Sequence, residues 1–289
     1  MKLRTHHVTA GDIREAIPPQ PVPADTSAAA LDDTSLATLK ADAEAEFAVV
    51  HGEINTLKNL FKLAGFAEGA GLPVDGGGNP AQVQYENTTT GEDTGTSIDF
   101  THNVPDVADR LLIICIVWES SFTERSVTGV TVDGVGATQV PGAEAEAGAG
   151  TFKCDMWYFV NPPVGGAVPI AVSFDTLPDD GIQTFAHTFS GVHQTTPLRT
   201  AASAGASSGA PSVTVASAIG DFVVDSLFAA DLPSVGPGQT ERGQEPLVTL
   251  APYGASSTEP GAAGSVTMSW GMTSDNWAIG AVSIRPNTA

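Results

Sequence analysis

Leu111-Leu112-Ile113-Ile114-Cys115-Ile116-Val117 is the stretch that decides the fold. It is a short, unbroken apolar run, too brief for a membrane helix and rich in β-branched residues, so it reads as a strand covered on both faces. Ser265-Val266-Thr267-Met268-Ser269-Trp270 is its counterpart. There apolar and polar residues alternate with period two, which predicts a strand with one wet face.

Working outward from these two, short β-rich segments alternate with turn clusters. The expected strands are 82–86, 96–102, 110–118, 127–132, 137–140, 153–160, 170–174, 184–190, 212–215, 222–229, 239–242, 247–251, 265–272 and 277–285. Many strands at regular spacing with no helices between them imply a β-sandwich, jelly-roll-like, over residues 82–289. The 31 Gly and 20 Pro suit the turns such a fold needs.

Upstream the composition changes. Residues 65–81, with Gly76-Gly77-Gly78-Asn79-Pro80, read as a Gly/Pro linker. In residues 35–64, Ala43, Phe47, Val50, Ile54, Leu57, Phe61 and Ala64 are spaced alternately four and three apart. That is a heptad seam, and it predicts a short coiled-coil helix. Leu60 and Leu63 widen the apolar face, which favours a trimer over a dimer. Residues 1–34 carry Lys2, Arg4 and Arg14, then Pro18-Pro19-Gln20-Pro21-Val22-Pro23. Proline fixes an extended course here, and such an arm orders only against a partner. It is expected to anchor the chain to a larger assembly through Lys2, Arg4, Arg14, Pro18, Pro19, Pro21 and Pro23. The expected class is mainly β: an extended arm, a short coiled coil and a C-terminal sandwich.

Charge bounds the partners. Lys+Arg number 12 against 33 Asp+Glu, a net charge of −21, which repels nucleic acid and anionic membranes. No apolar stretch approaches the about 20 residues of a spanning helix. Met1-Lys2-Leu3-Arg4-Thr5-His6-His7 lacks a signal-peptide core, so synthesis in a cytoplasm is expected. Cys115 and Cys154 lie in apolar runs and read as buried thiols, with a disulfide between paired strands as the alternative.

Ser256 and Ser257 are expected in a loop and lack the flanking glycine pattern of a nucleophile elbow. There is no HExxH. His187 and His193 read as core or loop histidines rather than metal ligands. Asp175, Asp179 and Asp180 around Pro178 and Gly181 read as a polar turn, with a structural calcium loop as the alternative and no other cofactor expected. Tyr253, in Ala251-Pro252-Tyr253-Gly254, is expected in a loop and is the best aromatic for stacking on a sugar. Trp157, Trp270 and Trp277 are expected in the core. Arg242, beside Glu241, is expected in a structural ion pair.

Several stretches together resemble a β-sandwich module recurrent in bacterial exported proteins and bacteriophage virion proteins. They are Val130-Thr131-Val132-Asp133-Gly134-Val135, Met156-Trp157-Tyr158-Phe159-Val160-Asn161-Pro162-Pro163, Phe189-Ser190-Gly191-Val192, Gln194-Thr195-Thr196-Pro197-Leu198, Gly238-Gln239-Thr240-Glu241-Arg242 and Trp277-Ala278-Ile279-Gly280-Ala281-Val282-Ser283-Ile284. The likeness spans about residues 110–286. The arm, coil and sandwich layout is similar to that of phage head fibres, tail fibres and capsid decoration spikes. It implies a non-enzymatic virion surface protein, a homotrimer attached to capsid or tail proteins, with the sandwich directed at a host-surface glycan. A capsid decoration role, a carbohydrate-active jelly-roll enzyme and a secreted cellular binding module are the competing expectations.

Overall fold

The structure is a computed structural model, and it describes residues 82–120, 124–178, 181–247 and 250–288. The expected arm, coiled coil and linker lie outside these residues. What is described is all antiparallel β, with no helix among the described residues.

The first half runs through β1 (Gln84–Asp93), β2 (Ser97–Asn103), β3 (Leu111–Glu119), β4 (Val127–Val132), β5 (Val135–Gly136), β6 (Thr138–Gln139), β7 (Ala145–Ala147), β8 (Phe152–Val160), β9 (Ala167–Phe174) and β10 (Ile182–Ser190). The second half runs through β11 (Leu198–Ser208), β12 (Ser212–Ser217), β13 (Phe222–Ala229), β14 (Ser234–Val235), β15 (Thr240–Leu247), β16 (Leu250–Pro260), β17 (Gly264–Gly271) and β18 (Asp275–Ile284). Four sheets result. In the first half β1-β10-β3-β8-β6 form one, with β7 also on β8, and β2-β9-β4-β5 form the other. In the second half β11-β18-β13-β16-β15 form one and β12-β17-β14 the other.

The two halves repeat one wiring. The first strand pairs with the last, the last with the third, and the third with the strand that follows the mid-domain hairpins, as β1-β10-β3-β8 and again as β11-β18-β13-β16. The second strand pairs with the penultimate one, which also pairs with the fourth, as β2-β9-β4 and β12-β17-β14. Two sandwiches of the same strand order therefore stand in tandem.

Alternation along β3 shows how they stack. Leu112, Ile114, Ile116 and Trp118 point into a core shared with Ile98 of β2, Val130 of β4 and Ile170 and Val172 of β9. Leu111, Ile113 and Cys115 point the other way, into a core shared with Val224 of β13 and Val282 and Ile284 of β18. A third core joins Val223 and Leu227 of β13 to Val213 and Val215 of β12 and to Val266, Met268 and Trp270 of β17. The order is thus outer sheet, two inner sheets, outer sheet. Each fully buried aliphatic side chain contributes about 1.5–3 kcal/mol by leaving water. The outer sheets keep a wet face: β17 alternates with Val266, Met268 and Trp270 inward. Both opening expectations hold.

Local chemistry sets the turns and the spacing. Val132 pairs with Val135 across a two-residue turn at Asp133-Gly134, whose φ values of 50° and 74° are those of a type I′ hairpin. At the seam between the inner sheets, backbone approaches backbone. A Cβ on Gly280 of β18 would overlap the Ala143 carbonyl oxygen, and one on Gly205 of β11 would overlap that of Glu146. Only glycine lets the two inner sheets close to this distance.

The structure corrects several expectations. β11 was not expected at all. Residues 250–260, expected to leave the sheet after 251, form one continuous strand, β16, in the interior of its sheet between β13 and β15. Cys115 and Cys154 are free, buried thiols, which settles the alternative of a disulfide between them.

Candidate functional site between the inner sheets

Side chains on β10 alternate toward the outer sheet and toward the second half. His187 points to the second half, between Phe185 and Phe189, which both belong to the seam core. β1 runs beside it, and Thr88 sits directly opposite His187. Ser256 of β16 comes from the facing sheet. The result is a line of polar groups crossing the seam. Tyr85 Oη lies 2.7 Å from Thr88 Oγ1, Thr88 Oγ1 lies 2.7 Å from His187 Nδ1, and His187 Nε2 lies 2.8 Å from Ser256 Oγ. Ser256 donates in turn to the Asp225 backbone carbonyl at 2.6 Å.

That last bond fixes the direction of the line. Ser256 has one hydroxyl proton and gives it to a carbonyl, so it accepts from His187 Nε2–H. Nδ1 then accepts from Thr88, and Thr88 accepts from Tyr85. His187 is fully buried, and burial first, then His102 and Arg242, pulls its pKa down to about 3. It is a neutral imidazole. A serine nucleophile would need its proton on the histidine, and here the bond runs the other way.

Asp225 is buried as well, directed from β13 into the core of the second half. Its carboxylate accepts from Ser257 N, from Ser257 Oγ at 3.0 Å and from Trp270 Nε1 at 2.8 Å. Burial still outweighs these donors and raises its pKa to about 7. Gln239 Nε2 donates to Ser257 Oγ at 2.6 Å, and Gln239 Oε1 accepts from Ser269 N, tying β17 into the same set. On the other side of the first half, His102 of β2 is bonded at Nδ1 to Thr89 Oγ1 and at Nε2 to Thr188 Oγ1, at 2.8 and 2.7 Å. Burial lowers its pKa to about 4. These groups fasten sheet to sheet, and each finds its partner inside the protein.

The residues singled out from sequence fall as follows. Ser256 and Ser257 are not in a loop; they lie on β16 and are fully buried. Tyr253 is not in a loop either. It is half-buried on β16, opposite Ala229 of β13 and Pro246 of β15. Arg242 makes no ion pair with Glu241: its guanidinium lies over the Tyr85 ring, 3.5 Å from the centroid, and its Nε donates to Thr258 Oγ1 at 2.7 Å. Trp270 and Trp277 are buried, as expected, and Trp157 is half-buried. His187 and His193 do not converge: His193 Nδ1 accepts from the backbone of Thr195 and Thr196 in a turn. Asp175 accepts from Ser126 N at 3.0 Å and Thr176 N at 2.7 Å, which is turn-capping chemistry; Asp179 and Asp180 lie outside the described residues, as do the arm residues and the heptad residues Ala43 to Ala64. Among the described residues no three His, Cys, Asp or Glu side chains converge on a metal position.

Sequence reading missed the His187–Ser256 contact because the two are 69 residues apart and because Pro252, Gly254 and Ser256 disguise a strand. Comparison with protein-family models, curated proteins and solved structures finds no match to this chain.

Proposed function

We propose that this chain is a structural surface protein of a virion. It is a trimeric head or tail fibre or spike, held to capsid or tail proteins by residues 1–34 and assembled through the heptad segment 35–64. Its β block faces outward for host-surface attachment and does no covalent chemistry. The observation that carries this reading is the doubling of the sandwich. In each half the strand order places the first, last, third and later strands in one sheet and the second, penultimate and fourth in the other, which is the jelly-roll arrangement. Two such units joined through glycine-lined inner sheets make a stiff tip rather than a hinged pair.

The buried polar groups support the same reading. His187, Ser256 and Asp225 are sealed from solvent and bonded in a direction unsuited to nucleophilic attack. Fold alone does not assign activity, so the experiment must address assembly. The intact chain is expected to sediment as a trimer and Ile54→Asp as a monomer. Deletion of residues 1–34 is expected to keep it out of particles while leaving its thermal unfolding unchanged. A monomeric intact chain, or a truncated chain that still incorporates, contradicts the proposal. Copy number per particle separates a spike, present in few copies, from a decoration protein present in many.

A further inference from the structure

At one end of the seam the two inner sheets do not close. A cleft of about 290 Å³ opens there, lined by Thr90, Gly91 and Glu92 of β1, Gln183 of β10 and Glu245 of β15. The register explains the convergence. Thr90 lies opposite Phe185 and Glu92 opposite Gln183, so these side chains share the face of the first half that meets the second. Phe185 is in the seam core. Across the seam, Glu245 lies opposite Gly254, and a Cβ on Gly254 would be 3.0 Å from Gln183 Cγ. Glu92 and Glu245 therefore approach the same space from different halves of the protein.

Two carboxylates converging without a counter-charge repel one another. Neither Glu92 nor Glu245 has an ion-pair partner among the described residues. The independent observation is Gln183. Its side chain lines the cleft, the residue is 1% exposed, and its Oε1 has no hydrogen-bond partner. A buried amide oxygen left unpaired is costly, so an unpaired one beside two carboxylates points to a ligand.

We propose that this cleft binds a calcium ion that clips the two halves together. The donors are the carboxylates of Glu92 and Glu245, the Gln183 carbonyl and the Thr90 hydroxyl, with water completing the shell. All are hard oxygen ligands, which select calcium or magnesium over zinc or copper. An open cleft with neutral donors suits calcium, which tolerates irregular geometry and high coordination, better than magnesium, which demands a tight octahedron. Only two charges contribute, so affinity falls with the weak extracellular sites, Kd on the order of 10⁻⁴–10⁻³ M. This site is distinct from the Asp175 turn and independent of the virion reading.

The test is a calcium titration of the full chain by calorimetry, with terbium luminescence as a second readout, compared with Glu92→Gln, Glu245→Gln and Asp175→Asn. The intact chain should bind one ion at this site, each glutamate substitution should weaken binding about tenfold or more, and Asp175→Asn should leave it unchanged. Calcium should also raise the melting midpoint of the intact chain and of Asp175→Asn, but not of Glu92→Gln. Magnesium should bind more weakly than calcium. Absence of saturable binding by the intact chain at about 10 mM calcium, well above the range for such sites, overturns the proposal. So does binding that survives both glutamate substitutions, or binding lost only in Asp175→Asn.

Discussion

Ile114 is the fourth residue of β3 and Asp225 the fourth of β13, the corresponding strands of the two halves. Both point away from the seam, into the core of their own sandwich. Ile114 belongs to the apolar cluster of the first core. Asp225 meets Trp270 Nε1 and the amide and hydroxyl of Ser257. The same wiring thus accepts an aliphatic side chain at one copy of a position and a carboxyl at the other. What the position demands is inward direction and filled volume. Polarity is tolerated where neighbouring strands supply donors. Both buried histidines lie on first-half strands and are held by hydroxyls: His102 by Thr89 and Thr188, and His187 at the seam between the inner sheets by Thr88 and Ser256.

The comparison breaks most severely where the halves touch. Gly280→Val drives a side chain into the Ala143 carbonyl and must prise the inner sheets apart. The expected loss exceeds about 4 kcal/mol, read by chemical denaturation or as insoluble protein. A loss under about 1 kcal/mol would mean that the halves are not in this contact.

Next in size is a pH effect that Asp225 and His102 carry with opposite signs. Burial raises Asp225 to about 7, above the roughly 3.9 of an unfolded aspartate. Its stability contribution is complete at low pH and is lost as pH rises from about 4 through about 7. Relative to Asp225→Asn, the natural chain should lose about 2–4 kcal/mol across that window. His102 behaves oppositely, because burial lowers it to about 4. Its contribution is present above about 6.5 and is lost as pH falls toward 4. His102→Gln should therefore flatten the acid side of the stability profile. Denaturant midpoints between pH 4 and 8 for the three chains check both signs.

Smaller effects sharpen the contrast. Ile114→Val should cost about 1 kcal/mol, the removal of one methylene from a dry core. Thr214→Val, on the wet face of β12, loses a 2.8 Å bond to Thr267 Oγ1 and should cost about 0.5 kcal/mol or less. If the surface change proved larger than the core change, the layer order would be wrong.

These contrasts also explain what could be read in advance. β3 and β17 were legible because burial on two faces and on one face leave different residue patterns. β11, Leu-Arg-Thr-Ala-Ala-Ser-Ala-Gly-Ala-Ser-Ser, was not, because its side chains are small and its place in the sheet comes from ten backbone partners on β18. β16 was hidden by Pro252, Gly254 and two serines, residues of low strand propensity that tertiary packing overrides. The tandem repeat was invisible because it resides in strand order, and equivalent positions such as Ile114 and Asp225 need share no chemistry. The seam cluster joins strands distant in sequence, and no local spacing announces it.

The central claim is that the two sandwiches form one body through their inner sheets. Native-state hydrogen exchange tests it most directly, by comparing the amides of β3 with those of β13. The account predicts that both sets exchange through a single opening with the same free energy and the same denaturant dependence. Exchange of β13 at low denaturant while β3 remains protected, or the reverse, would show two independent domains and contradict it.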